Sequence, residues 1–120
     1  MEIVSFMDIE ETDKDLMLSF ALDIGNGRIK TLLLHRTLFC ESLLAEEERG
    51  TKFSVEGGDL AEEFINALEC VIFDGSIMKI KARFSYHEID LRKIVKEDFE
   101  QIAVSLERHN FDDRFEVKFI

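Results

Sequence analysis

The sequence predicts an α+β domain: a mostly antiparallel sheet built from two β-hairpins plus a C-terminal strand, with one main amphipathic helix packed on it. Apolar residues recur at every second position in several stretches, which is the period of a half-buried strand. In residues 96–109 they recur instead at steps of three and four, as on one face of a helix. The chain has 120 residues and no proline, so residues 1–120 are expected to form a single compact domain.

The first hairpin is predicted from residues 15–35. Apolar side chains alternate along residues 15–24, and Gly25-Asn26-Gly27 supplies the positive-φ residues that a tight turn needs. Residues 29–35 contain three consecutive leucines, which is typical of a central strand covered on both faces. Ahead of this hairpin, the spacing of Ile3, Phe6 and Ile9 predicts an edge strand.

The second hairpin is predicted from residues 67–73 and 76–84, which flank Asp74-Gly75. A two-residue turn would place Phe73 opposite Ser76, whereas a three-residue loop with left-handed Gly75 would place Ile72 opposite Ser76. The second register collects the apolar residues on one face and pairs Glu69 with Lys79 on the other, so burial favours it. The apolar face would then comprise Leu68, Cys70, Ile72, Met78, Ile80, Ala82 and Phe84.

Two segments, residues 37–48 and 59–70, are compatible with either helix or strand. Asp59 and Glu62 are spaced as a capping box, so we expect a short helix there before the strand that starts near residue 67. Residues 52–56 are expected to form a short strand with Phe53 and Val55 pointing inward.

The predicted helix at 96–109 carries acidic residues in its first turn and Arg108 and His109 in its last, both favourable to the helix dipole. His109 is therefore interpreted as a helix-end cation, and Asn110 as a left-handed terminator. Residues 115–119 alternate again and predict the final strand.

Composition excludes several classes of function. The net charge of -11 argues against direct contact with nucleic acid or an anionic membrane, because both require a clustered positive surface. No apolar run is long enough to cross a bilayer, and Met1–Ser5 lacks the basic start of a signal peptide, so we expect a cytoplasmic protein. Cys40 and Cys70 lack metal-site spacing and are expected to be inert thiols.

No motif predicts a catalytic, cofactor-binding or metal site. The chain lacks a phosphate-binding loop, a dinucleotide fingerprint and a zinc-binding His pair, so no cofactor is expected. Polar side chains that can serve acid, base or ligand roles are found next to one another at two places. These are His35 and Arg36 at the end of the second strand, and Tyr86, His87 and Glu88 after the second hairpin.

Charge is segregated along the chain. Acidic segments surround one basic stretch at residues 77–96. We expect an acidic docking surface that comprises Glu46, Glu47, Glu48, Glu62 and Glu63. Lys79, Lys81 and Arg83 alternate, which predicts a basic strip on one strand face. Such a strip suits an acidic peptide or anionic ligand, or is a solvated face with salt bridges.

Three hypotheses of function follow from these patterns. The first is a small binding or regulatory domain that acts through protein–protein contacts with a basic protein partner, for example an immunity- or inhibitor-type protein. The alternative is a small-ligand-binding protein or enzyme with a pocket between helix and sheet. The third is a homo-oligomer, because eleven phenylalanines are enough for an exposed aromatic patch as well as a core.

Overall fold

The computed structural model describes residues 1–58 and 63–120. Within them, eight strands and one α-helix, α1 (Lys96–His109), are formed. The strands are β1 (Glu2–Glu11), β2 (Asp15–Gly25), β3 (Arg28–Thr37), β4 (Lys52–Val55), β5 (Leu68–Asp74), β6 (Ile77–Ala82), β7 (Tyr86–Asp90) and β8 (Glu116–Phe119). They make a single sheet in the order β4-β3-β2-β1-β7-β6-β5-β8. Only the β1–β7 and β5–β8 pairs are parallel, so the predicted α+β fold with a mostly antiparallel sheet is confirmed.

The sheet curls around a core on its inner face. Four inward-facing leucines of β2 and β3 pack there with Ile102 and Leu106 of α1, and all of them are fully buried: Leu18, Leu22, Leu32 and Leu34. At the curled edge, Lys52 of β4 forms a bridge with Ala67, just before β5. The radius of gyration of 13.8 Å matches the roughly 14 Å expected of a compact domain of this length. None of the helical segments in residues 1–58 and 63–120 has the length and apolar character to cross a membrane.

The first hairpin forms as predicted. Asn26 and Gly27 make the turn with φ values of 56° and 71°, the paired positive angles of a type I′ turn. The core side chains of β2 are those that the alternation identified, except that Ile24 is 42% exposed. In β3, Leu32 and Leu34 are buried but Leu33 is only half-buried, so this strand is covered fully on one face and not on both as expected.

The register predicted for the second hairpin is wrong. Asp74 pairs with Ile77 and Phe73 with Met78, so the turn is Gly75-Ser76, with positive φ at the glycine as a type II′ turn requires. A bulge between Leu68 and Cys70 shifts β5 by one residue, which turns the larger Val71 and Phe73 into the core. Cys70 and Ile72 therefore lie on the outer face, against the prediction.

β1 is a central strand and not the predicted edge strand. It pairs antiparallel with β2 over nearly its whole length. On its other side it pairs with β7 only at Glu2 and Ile3. Local sequence could not show this, because pairing partners are set by contacts distant in the chain.

The two ambiguous segments are resolved in part. Residues 38–50 form neither helix nor strand but a connection with two short 3₁₀ turns, Glu41–Leu43 and Glu46–Glu48. The capping box predicted at Asp59 and Glu62 lies outside the described residues. The strand predicted at 52–56 is confirmed as β4. The predicted helix is confirmed at Lys96–His109, but Asn110 has φ of -101° and is not left-handed. Its side chain instead bonds the backbone N–H and C=O of Phe115.

Candidate functional site

The connection between β3 and β4 is long for a compact domain. It comprises fourteen positions, of which residues 38–50 are its loop and Thr51 leads into β4, a length at which loops are usually functional when they are ordered. Its side chains are mostly exposed, yet its backbone is fixed at several points, including bonds from Leu38 N–H and Phe39 N–H to Lys14 C=O. A surface loop that is both ordered and exposed is therefore the first candidate for a site.

Arg36, the penultimate residue of β3, anchors this connection from inside the protein. Its side chain is only 1% exposed. Its Nη2 donates to Glu41 Oε1 at 2.6 Å, and its Nη1 donates to the backbone carbonyl of His109 at 2.7 Å. Nη1 and Nη2 also reach the two carboxylate oxygens of Asp112 at 2.8 and 2.9 Å. One guanidinium thus ties the loop after β3 to the turn after α1.

The electrostatics of this cluster favour full ionisation. Burial alone would lower the pKa of Arg36, but hydrogen bonds to Asp112 and Glu41 outweigh it and the pKa is raised. The pKa of Asp112 is held well below its usual range, chiefly by its hydrogen bond to Arg36. Burial raises the pKa of Glu41, yet the Arg36 contact dominates and the pKa is lowered. The Phe111 ring, with its centroid 4.1 Å from the guanidinium carbon, covers the cluster.

Held in this way, the connection presents acidic and apolar side chains together. We define the acidic face as Glu46, Glu47, Glu48 and Glu63 with the exposed apolar residues of the same two chain segments, Phe39, Leu43 and Phe64. Phe39 is 65% exposed, Leu43 81% and Phe64 78%. Glu62, predicted as part of the same surface, lies outside the described residues.

The glutamates of the acidic face differ in how far they are neutralised. Glu46 pairs with Arg114 at 3.0 Å and with Arg49 at 3.4 Å. Within residues 1–58 and 63–120, Glu47 and Glu48 take part in no ion pair. Two carboxylates of the acidic face are therefore without a cationic partner among the described side chains.

A cleft of about 470 Å³ lies beside the acidic face, on the outer surface of β3 and β4. Its lining includes His35, Glu41, Leu44, Glu48, Lys52 and Glu63. His35 Nε2 lies 2.8 Å from Asp15 Oδ1. Lys52 Nζ donates to the carbonyls of Gly50, at 3.0 Å, and Glu48, and burial lowers the pKa of this lysine. Sequence reasoning named His35 but missed Asp15 and Lys52. Asp15 could have been found from the strand alternation, which places it on the outer face.

The five polar-site candidates from the sequence do not converge. His35 is the one that lines the cleft, while Arg36 points to the inner side of the same strand. In β7, His87 packs on the inner side, with its Nε2 3.3 Å from Glu2 Oε2. Tyr86 and Glu88 lie opposite Lys81 and Lys79 on the outer face of the sheet. The structure therefore gives these five no shared concavity.

The predicted basic strip is largely neutralised. Lys81 Nζ lies 2.6 Å from Glu69 Oε1, and Lys79 Nζ lies 3.7 Å from Asp74 Oδ2. Glu69 thus faces Lys81 and not Lys79, because of the register shift in β5. Arg83 follows the end of β6 and does not extend the strand face. The structure therefore agrees with the second interpretation of this sequence pattern, a solvated sheet face with salt bridges.

His109 was interpreted as a helix-end cation, and that interpretation is wrong. Its side chain is fully buried, and desolvation, together with the charge of Arg36, lowers its pKa to about 4. Its Nδ1 lies 2.9 Å from Thr51 Oγ1. The position of His109 at a helix end could not reveal its burial. Thr51, which lies just before β4 and bonds the imidazole, is 58 positions away in the chain.

The cysteines and metal-ligating side chains form no cluster in the described part of the chain. Cys40 is exposed, Cys70 is half-buried, and both are free thiols. Among residues 1–58 and 63–120, no three His, Cys, Asp or Glu side chains are grouped as metal ligands.

Comparison of the chain with known protein families, curated proteins and solved structures finds no significant match.

Proposed function

We propose that this protein is a small binding or regulatory domain that docks onto a basic protein partner through its acidic face. The observation that carries the proposal is the connection at residues 38–50, an exposed loop locked by a buried arginine. Loops that bind partners gain affinity when they are ordered beforehand, because less conformational entropy is lost on association. Arg36 supplies that order by bonding both Glu41 and Asp112.

The composition of the acidic face supports the same proposal. Exposed aromatic and leucine side chains provide the apolar contacts on which most interfaces depend, and Phe39, Leu43 and Phe64 lie here. The carboxylates of Glu47 and Glu48, which form no ion pair with another described residue, favour a partner of opposite sign and accelerate its association at low salt. An immunity- or inhibitor-type protein, which covers a basic cleft of another protein, is the concrete form that we propose.

We propose a cytoplasmic location as part of the same function. Cys40 is an exposed free thiol, and such thiols persist in reducing compartments.

The test is capture of partners from a lysate of the source cells on immobilised protein. We expect the wild-type protein to enrich a basic protein that Glu46→Lys/Glu47→Lys/Glu48→Lys does not retain. Retention should fall as salt rises from about 50 to 500 mM, since exposed charges are then screened. The purified candidate should next bind the wild-type protein directly in solution.

The matched control is Asp23→Lys/Asp74→Lys/Glu116→Lys, which makes the same change of charge at exposed positions away from the acidic face. It should retain the partner about as well as the wild-type protein. Equal capture by both reversed proteins, or by neither, would count against docking through the acidic face.

A second candidate function is a small-ligand or catalytic site in the cleft. One observation favours it: His35, bonded to Asp15, lies directly across from Lys52, whose pKa is lowered by burial. A histidine oriented by a carboxylate is a common acid–base arrangement. Thermal-shift screening of small metabolites against the wild-type protein and His35→Gln tests it. A ligand that stabilises only the wild-type protein would favour this candidate, and stabilisation of both or of neither would exclude His35 from a site.

A further inference from the structure

The most unusual feature outside the acidic face is an open backbone edge in the middle of the sheet. β1 has ten residues, but β7 pairs with only Glu2 and Ile3 of them. From Met7 to Glu11, none of the described strands lies beside β1 on the side that faces away from β2. An unpaired strand edge is a template for pairing with another chain.

The direction of each peptide group follows from the ladder between β1 and β2. Thr12 N–H donates to Asp15 C=O, and Leu38 N–H donates to Lys14 C=O. Because these directions alternate along a strand, Asp8 and Glu10 use their backbone groups to bond β2. The N–H and C=O groups of Met7, Ile9 and Glu11 therefore point away from β2. Among the described residues, no hydrogen bond reaches them.

These free groups face a groove and not a flat surface. A depression of about 590 Å³ lies between β1 and α1, lined by Ile9 and Glu11 on the strand and by Glu97, Glu100, Gln101, Val104 and Arg108 on the helix. The helix is close enough to form one wall but leaves the strand edge accessible. The volume is within the range of pockets that hold ligands in proteins.

The charges around the groove select the occupant. Arg108, the cation of the lining, is bonded to Glu11 at 2.5 Å. Glu97 and Glu100 take part in no ion pair within the described residues. A strand added beside β1 would present one set of side chains to these two glutamates. It would present the other set beside Asp8 and Glu10, which are exposed on the outer face. Both sets are therefore complementary to Lys or Arg.

We infer that this groove takes an extended, basic segment of a partner protein, which adds to the edge of β1 as an extra strand. Main-chain hydrogen bonds to Met7, Ile9 and Glu11 hold the segment, as in other cases of strand addition to a sheet edge. Ile9 and Val104 contact its apolar side chains, while the surrounding carboxylates bind its basic ones. The groove and the acidic face have no residue in common, so different substitutions test them.

The probe is a blocked octapeptide of alternating lysine and valine, with alternating glutamate and valine as the control peptide. Amide hydrogen exchange measured by NMR reports on each backbone N–H separately. In the free protein, we expect the amides of Met7, Ile9 and Glu11 to exchange at least about tenfold faster than those of Asp8 and Glu10. The lysine peptide should slow exchange of the first set by about tenfold or more and leave the second unchanged.

Glu100→Lys is the test variant, and Glu107→Lys is its matched control, exposed on the same helix but outside the groove. We expect the lysine peptide to bind Glu100→Lys about tenfold more weakly than the wild-type protein, and Glu107→Lys to bind normally. Slow exchange of Met7, Ile9 and Glu11 in the free protein would overturn the open edge. Protection that depends on protein concentration alone would assign the groove to a second copy. Equal protection by the glutamate peptide would overturn the basic partner.

Discussion

Arg36 and Asp112 form a pair of parallel hydrogen bonds, Nη1 to Oδ1 at 2.8 Å and Nη2 to Oδ2 at 2.9 Å, across 76 residues of chain. Bidentate pairing of this kind is stronger and more directional than a single contact. Glu41 accepts from Nε and Nη2, and the carbonyl of His109 accepts from Nη1, so every N–H group of the guanidinium has a partner inside the protein. The shape of the acidic face therefore depends on one buried side chain that it does not itself display.

Arg36→Ala should lower the free energy of unfolding by about 3–5 kcal/mol, because it leaves the carboxylates of Glu41 and Asp112 without their partner. Arg36→Lys should recover only part of the loss, since a single ammonium cannot bond both carboxylates in the same geometry. Urea denaturation followed by circular dichroism measures this. Arg28→Ala is the control, because Arg28 is exposed and in no ion pair of the described residues. A loss at Arg36 no larger than at Arg28 would contradict the anchoring role.

His109 should make the fold sensitive to mild acid. Its pKa is about 4 in the folded protein and about 6.5 when unfolded, so the unfolded chain binds more protons between these values. Stability therefore falls as pH drops from about 6.5 to about 4, by roughly 3 kcal/mol in total. Asp112 and Glu41, whose pKa values are lowered in the folded protein, reduce stability only below about pH 5, where these carboxylates begin to bind protons in the unfolded chain.

Denaturation midpoints measured from pH 7.5 to 4 test this dependence. His109→Asn should flatten the profile within that window, even if it is less stable at pH 7.5. His35→Gln is the control for the loss of a histidine as such. An unchanged slope in His109→Asn would show that other groups cause the acid sensitivity.

The first hairpin should depend on the left-handed conformation of Gly27. No atom lies within 4 Å of a Cβ placed there, so Gly27→Ala tests backbone conformation without a clash. With φ at 71°, we expect a loss of about 1–2 kcal/mol in the free energy of unfolding. Asn26→Gly should change stability by less than about 0.5 kcal/mol, because glycine adopts positive φ freely. Thermal and urea denaturation provide both values, and equal effects would argue against the type I′ turn.

Thiol chemistry should distinguish the two cysteines. Cys40 lies exposed at the start of the first 3₁₀ turn, whereas Cys70 is half-buried in β5. A chromogenic disulfide reagent should therefore modify one thiol rapidly, and Cys40→Ser should remove that fast phase. Because the reagent is anionic and the surrounding glutamates repel it, added salt should accelerate the reaction. A fast phase that persists in Cys40→Ser would contradict the placement of these residues.

Features set by local pattern were predictable, and features set by distant pairing were not. The alternation in residues 15–24 and the Asn26-Gly27 turn led directly to the first hairpin, because the signal and the structure involve the same neighbouring residues. The register of the second hairpin was predicted wrongly, because a bulge near Glu69 moves the following residues of β5 to the opposite face of the sheet. No glycine or proline marks this bulge in the sequence. Burial of the larger Val71 and Phe73 determined the observed register.

The candidate site shows the same division. Consecutive glutamates at 46–48 predicted an acidic surface from sequence alone, and the structure exposes them. The anchoring role of Arg36 could not be predicted, because it requires Asp112, 76 residues away in the chain, to meet the same guanidinium as the nearby Glu41. His109 was misread for a similar reason, because Thr51 and Arg36, which surround it, come from other parts of the chain.

The bond between Arg36 and Asp112 has a consequence for the order of events during synthesis. Asp112 follows Arg36 by 76 residues, so a growing chain that already contains β3 and the connection at residues 38–50 still lacks the carboxylate that completes the cluster. Contacts between distant positions form late, after the intervening chain has been ordered. The surface that we propose for docking therefore reaches its final shape only once the last helix has been made and packed. A chain made only as far as residue 64 would carry the glutamates without the geometry, and a partner would select chains in which α1 and Asp112 are already in place.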